Sequence, residues 1–343
     1  LMFSISAIAF ATLSDIFTAK NVLIFTQSLS IFGLLTLALC QSMYFMYVGF
    51  VLLGLGTGCY SSISRALISR NAISNVEMKK SYAILSCCII IAPVISAYVA
   101  LMLIPISWRF AYVFMAGIEL TLLIYSYSIL KIDAKKQILI KPKNILDGFK
   151  HSFSQPRYII NVLMVSVMFS FYLGVLMSSF KGLFVDEIGV SIKYFSLLFL
   201  ASSLIYILGV FSYRHKTSST HKVKYNYGPL LILFVAILVY TVISLSISNV
   251  SITIYVICYI LGFMIPLTTG AAMTNITKGH GSAAAFITFS VAFFMFVWEF
   301  ARARLSISNY HFILLALWTT FIIVVLLKLL LIVIEKRMDK ELK

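Results

Sequence analysis

The sequence predicts an all-helical membrane protein, and three observations carry that expectation. Apolar residues make up 61% of the 343 positions and charged residues only 11%, too few polar groups to cover a water-soluble fold of this size. The apolar residues gather into eleven runs, most of them about 20 residues long, without the period-2 alternation of a barrel strand. The loops between them are short and alternate between basic and nearly uncharged. In hydrocarbon the backbone must satisfy its own hydrogen bonds, so runs of this length select helices.

In order, the spans fall at about 1–13, 22–40, 43–66, 81–103, 109–130, 159–180, 194–212, 229–247, 251–274, 283–303 and 310–334. The first is partial: at ~1.5 Å rise per residue, its 13 residues cover roughly 20 Å of a ~30 Å core. Because the chain also opens on Leu1 rather than methionine, it reads as the remainder of a helix, with a further helix expected upstream. Charges bound the others. Lys20 precedes the second span and Arg65 ends the third; Lys80 and Arg109 bracket the fourth, and Arg109 and Lys131 the fifth. Arg157 and Lys181 enclose the sixth, Lys193 and Arg214 the seventh, and Lys224 precedes the eighth. Lys278 follows the ninth, which holds a kinking Pro266; Arg302 closes the tenth, and Lys336 follows the eleventh. Residues 131–158 are the longest polar stretch and divide the chain into a bundle at 1–130, a basic linker at 131–158 and a second bundle at 159–343. In the linker Ile145, Leu146, Phe149 and Phe153 recur at helical spacing beside Lys143, Lys150 and Arg157, which suits a short interfacial helix; an irregular basic loop is the alternative.

Of the lysines and arginines, 21 lie in one set of loops and five in the other, with Lys328 inside a span. The positive-inside rule therefore puts the basic loops and the C-terminus in the cytoplasm. The net charge of +16 then sits where anionic lipid headgroups would meet it, and no soluble basic domain exists to bind nucleic acid. The five cysteines lie in or at the ends of apolar runs without zinc or disulfide spacing, and the histidines form no H-E-x-x-H array, so neither metal nor cofactor is expected. The absence of a G-x-x-x-x-G-K-[ST] sequence speaks against an ATP-driven pump. No cluster of acids and histidines suggests an embedded enzyme.

Several stretches carry a family resemblance. Ala11-Thr-Leu13-Ser14-Asp15-Ile16-Phe-Thr18-Ala19-Lys20 resembles the G-x-L-S-D-R-x-G-R-(R/K) loop of the major facilitator superfamily, with Leu13, Ser14, Asp15 and Lys20 matching. Gly54, Gly56 and Gly58, followed by Arg65-Ala66, resemble the fourth-helix R-x-x-Q-G-x-G signature, although its Arg and Gln fall on Phe50 and Leu53. Ala92, Pro93, Ser96 and Ala97 are similar to the antiporter signature G-x-x-x-G-P-x-x-G-G, with small residues in place of every glycine. Trp108-Arg109-Phe110 resembles a W-R-x-x-F opening, and Gly279-His280-Gly281-Ser282-Ala283-Ala284-Ala285 the stretch entering the eleventh helix. In this order along the whole chain, the motifs resemble a twelve-helix drug:proton antiporter of the Bcr/CflA type lacking its first helix. The resemblance implies a fold of two six-helix bundles, a monomer in the bacterial inner membrane, and protons and a small-molecule substrate as partners. It implies a cytoplasmic gate at Asp15, Lys20 and Arg65, with Asp15 facing the start of a helix near Gly281 and Ser282; an aspartate that merely ends a helix in water is the other reading. The missing arginines put the usual proton-coupling network in doubt.

Charges inside the membrane are costly, which makes each a functional candidate. Glu119 lies near mid-span, ten residues after Arg109, and is either a proton carrier or a neutral, hydrogen-bonded residue. Glu299 either pairs with Arg302 at the rim or meets substrate or protons. Lys181, Asp186 and Glu187 read as outer-loop charges. Asn161, Phe169, Tyr172 and Pro266 are the candidate cavity residues. Three functions follow: proton-coupled export of drugs or other amphipathic compounds; export of one endogenous metabolite, such as a siderophore; or a receptor-like protein or relic that no longer transports.

Overall fold

The computed structural model describes residues 2–103, 106–128, 145–219, 227–243, 245–274 and 276–341, and among these every regular element is helical. In chain order they are α1 (Met2–Leu13), α2 (Ala19–Leu39), α3 (Met43–Thr57), α4 (Tyr60–Asn71), α5 (Asn75–Leu103), α6 (Trp108–Ser128), α7 (Ile145–Phe153) and α8 (Pro156–Ser170). α8 continues through π-helical turns at Phe171–Met177 and Gly182–Glu187 around α9 (Ser178–Lys181). Then come α10 (Ile192–Ser219), α11 (Gly228–Val242), α12 (Ile247–Met273), α13 (His280–Arg304) and α14 (Asn309–Glu341). Among the described residues nine helical stretches are long and apolar enough to cross a membrane; α1 and α11 are apolar but shorter.

The spans lie where the apolar runs predict, and local chemistry moves their ends. α5 begins six residues before the run at 81, where Ser74 caps it and Glu77 reaches back: Glu77 N donates to Ser74 Oγ at 3.2 Å, and Ile73 N donates to Glu77 Oε2 at 2.9 Å. The third run divides at Gly58-Cys59 into α3 and α4, and α4 carries helix five residues past the expected end. α11 stops at Val242, before the Ser246 cap of α12, rather than running to 247. The linker does contain a helix, α7, while residues 131–144, including its Lys136 and Lys143, lie outside those described.

The chain forms two compact units, one of residues 1–72, 95–154 and 276–289, the other of 73–94, 155–275 and 290–343. In the first, α2 packs along α3 and α6, and α1 along α3. The glycines permit this. A Cβ on Gly56 would lie 2.5 Å from Ser30 N of α2, and one on Gly58 2.3 Å from Phe3 O of α1, with Gly54 against Met2 on the same face. In the second unit α8 lies against α12 and α14, and α10 against α12, where Gly209 and Gly262 bring the two backbones into contact.

Candidate functional site

Where α1 ends, the turn at Ser14 and Asp15 is held by Ser14 Oγ donating to Ala11 O at 2.7 Å. This aims the Asp15 side chain, 3% exposed, at the first turn of α13. Gly281 N donates to Asp15 Oδ1 at 2.9 Å, and Ser282 donates to Oδ2 through both N and Oγ, each at 2.9 Å. The carboxylate thus takes up backbone N–H groups that no helical partner satisfies, at the positive end of the helix dipole. Arg70, at the end of α4, donates one guanidinium nitrogen to Asp15 Oδ1 and another to Ser14 O at 3.1 Å, so the buried charge is both paired and fully hydrogen-bonded. The approach needs glycine: a Cβ on Gly281 would sit 2.3 Å from Ala11 O and 2.8 Å from Asp15 Oδ1. One residue before α13, Gly279 adopts φ +67°, and a Cβ there would lie 2.6 Å from the Gly148 Cα of α7.

α4 adds a polar stripe. Ser61, Ser62, Arg65 and Ser69 recur at helical spacing on the side that meets α13. Ser62 Oγ donates to Thr288 Oγ1 at 2.7 Å, and Arg65 NH1 donates to the same oxygen at 2.8 Å, while Thr288 itself donates to Ala284 O. Ser69 Oγ lies 2.7 Å from His280 Nδ1. The α13 start therefore rests on a ladder from Asp15 and Arg70 down to Arg65, beside an apolar core that includes Ala11, Cys59, Ile63 and Ala285. α7 closes the other flank, with His151 Nε2 3.1 Å from Thr277 Oγ1 and Phe153 edge-on to Phe286 at 4.8 Å. Among the described residues no three of His, Cys, Asp and Glu converge where a metal could sit.

Asp15, Gly281 and Ser282 are thus brought together, with Arg65 on the same helix–helix contact. Lys20 is elsewhere: its Nζ donates to Tyr127 O at 2.7 Å and lies over the Tyr127 ring. Its place in the Asp15 group belongs to Arg70, which the sequence reading left among the loop charges. Arg70, Thr288 and His280 carried one usable signal, the polar spacing Ser62, Arg65, Ser69 within an otherwise apolar chain. Ala92, Pro93 and Ser96 are exposed on α5, and the Ala97 side chain lies outside the described residues. Glu119, half-buried on α6, accepts a long 3.3 Å bond from the Tyr60 hydroxyl of α4. The expected Glu299–Arg302 pair does not form. Arg302 instead donates to Ser178 Oγ at 3.2 Å and Asn309 Oδ1 at 2.9 Å, and Glu299 is exposed. Glu187 is not a loose outer-loop charge either, because the π-helical extension of α8 carries it to the first turn of α14, where it accepts from the backbone and side chain of Asn309 and from Tyr310 N. Asn161, Phe169, Tyr172 and Pro266 are all buried; Asn161 Nδ2 donates to Arg157 O, and the Tyr172 ring packs 4.7 Å from that of Tyr206.

The sequence profile of the Major Facilitator Superfamily matches residues 1–303. Among curated proteins, none matches the sequence. The fold resembles that of a proton:xylose symporter, XylE, with a TM-score of 0.72 at 14% identity over 96% of this chain and 83% of that one. It also resembles the Escherichia coli fucose:proton symporter FucP, with a TM-score of 0.71 at 14% identity over 95% and 88% of the two chains. The human organic anion transporter MFSD10 (TETRAN) gives 0.70 at 12% identity over 94% and 80%.

Proposed function

The chain belongs to the Major Facilitator Superfamily, and on that premise we propose that it is a secondary active transporter of a bacterial inner membrane, expelling drugs or other amphipathic small molecules as protons enter. The observation that carries this reading is the Asp15 carboxylate set on the first turn of α13 and locked by Arg70. It joins an early loop to a late helix through charge-assisted hydrogen bonds that can be broken and remade, which is what alternating access requires of a gate. The basic loops make this face cytoplasmic. With the Asp15 contact closed the inner side is shut, and its release lets substrate enter from the cytoplasm.

Protons drive the cycle through Glu119 on this reading. The Tyr60 hydroxyl lies against its carboxylate, on the same α4 that carries Arg65 at its middle and Arg70 in its last turn. A change of charge at Glu119 can therefore reach the gate along one helix. Everted vesicles containing the protein and a pH-sensitive dye test the proposal. Addition of transported hydrophobic cations, anions or zwitterions should dissipate an imposed proton gradient. A gradient that no member of such a panel moves overturns proton-coupled export of this class.

A further inference from the structure

One titratable group beside the Asp15 contact plays no part in it. His280 is the first residue of α13, immediately before the Gly281 N–H that donates to Asp15 Oδ1. Its Nδ1 lies 2.7 Å from Ser69 Oγ, and Ser69 precedes Arg70, which holds Asp15 from the other side. The imidazole is thus tied to both halves of the buried pair. It is half-buried, so protons of the cytoplasm reach it, and its Nε2 has no hydrogen bond among the described residues. The charges around it are nearly all of one sign. The end of α1 brings Asp15, whose carboxylate is already shared among Arg70, Gly281 and Ser282, and Asp15 and Arg70 both act on the imidazole through their charges. α4 supplies Arg65 as well as Arg70. Lys150 of α7 and Lys278 before α13 are exposed on the flanking segments, His151 Nε2 lies 3.1 Å from Thr277 Oγ1, and the Asp147 side chain is outside those described. A neutral imidazole fits this setting, with one hydrogen shared between Nδ1 and Ser69 Oγ. An imidazolium does not: both its nitrogens donate, so Ser69 can only accept, and a second cation then stands beside Arg70 at the end of a helix where cations are least favoured.

We propose that His280 is a proton-responsive latch on the inner gate, neutral while the Asp15 contact is made and protonated from the cytoplasm when that contact parts, so that acidification of the cytoplasm favours the open inner side. The inference rests on the Asp15 contact being the inner gate. Its sign follows from linkage: the closed form binds fewer protons, so its advantage is complete well above the ~6.5 at which an unhindered histidine titrates, and it is lost as pH falls below that value. A proton that binds only the open form raises the ratio of open to closed gates about tenfold between pH 8 and about one pH unit below that value.

Everted vesicles expose the cytoplasmic face, and the bath sets its pH. In a chain free of other cysteines, Ala284→Cys, at a buried position on α13, reports opening by its rate of reaction with an impermeant maleimide. Dividing by the rate for Ser154→Cys, at an exposed position, removes the loss of thiolate at low pH. This ratio should rise about tenfold from pH 8 to roughly pH 5.5. His280→Gln, which keeps a bond to Ser69 but takes no charge, should hold the ratio at its pH 8 value throughout. His280→Lys should raise it already at pH 8, and His151→Gln should leave the parent curve in place. A ratio that stays flat in the parent overturns the proposal. So does a parent-like curve in His280→Gln, a His280→Lys ratio no higher than the parent's at pH 8, or a curve that His151→Gln abolishes. Asp15→Asn separates the latch from the gate it acts on: if it leaves the ratio at pH 8 unchanged, the gate assignment fails and the latch with it, whereas a raised ratio in Asp15→Asn beside a parent that is flat with pH removes His280 alone. Helical content measured by circular dichroism confirms that each variant is folded.

Discussion

The Asp15 carboxylate takes hydrogen bonds from four donors on two helices, and removing its charge takes its anion from Arg70, whose side chain is only 11% exposed. Breaking one partner of a buried pair costs about 3–5 kcal/mol, and a single hydrogen bond to a charged group contributes ~1.5–3 kcal/mol. Asp15→Asn should therefore loosen the α13 start. A cysteine at the buried Ala284 position, in a background free of other cysteines, should react with an impermeant maleimide about tenfold faster or more in everted vesicles; unchanged reactivity together with unchanged transport removes Asp15 from the gate. Gly281→Ala tests the same contact sterically. Its Cβ would meet Ala11 O at 2.3 Å, whereas Gly117, with nothing within 4 Å, should accept the same change without loss. Overpacking of this kind costs ~1–3 kcal/mol and should lower the melting temperature of Gly281→Ala alone. The motif spacing pointed to Asp15, Gly281 and Ser282 from the sequence, because a loop signature counts positions along the chain. It did not point to Arg70, whose role depends on α4 staying helical past residue 66 and turning that side chain back toward α1.

Helices were legible as apolar runs, since about 20 residues without charge must span or be buried. Their ends were not, because single side chains set them. Ser74 and Glu77 start α5 early, and Ser246 caps the start of α12 four residues after α11 ends. The π-helical turns of α8 had no signal in composition at all; where they run, Gly174 lies against Met295 and Gly182 against Asn309, contacts distant in sequence. One consequence is that Glu187 reaches the N-terminus of α14 much as Asp15 reaches that of α13, so two successive helices are each capped by a carboxylate from far away in the chain. The two caps differ in surroundings. Asp15 is buried with an arginine, while Glu187 is exposed and holds Asn309 and Tyr310 from the rim. Glu187→Ala should cost no more than an ordinary helix cap, ~0.5–2 kcal/mol, visible as a modest fall in melting temperature with the labelling of Ala284→Cys unaffected. A change in that labelling would show that the two caps are coupled.

Across the whole molecule, charge placement and motif order were enough to reach the superfamily, because both are properties of the chain rather than of any contact. Which helix segments pack together was not available in that way. α5 gives its first part to one unit and its last to the other, and α13 does the same in reverse order, although each reads as a single uninterrupted apolar run. The departure that matters most for energetics is the apolar Phe50 where the family signature has arginine. On the proposed cycle Glu119 and Glu299 are the candidate proton carriers, and Glu299 is exposed near the end of α13. Glu119 is half-buried, held by one 3.3 Å bond from Tyr60, and so has the weak, single tie expected of a group that must change protonation during the cycle. Glu119→Gln keeps its size and its acceptor for Tyr60 while abolishing titration. The variant should bind substrate as the parent does and lose export driven by an imposed pH gradient, and Tyr60→Phe should shift the pH at which export is half-maximal without abolishing it. Parent-like export by Glu119→Gln across the same gradient would remove the proton site from α6 and leave the gate to be driven by another group.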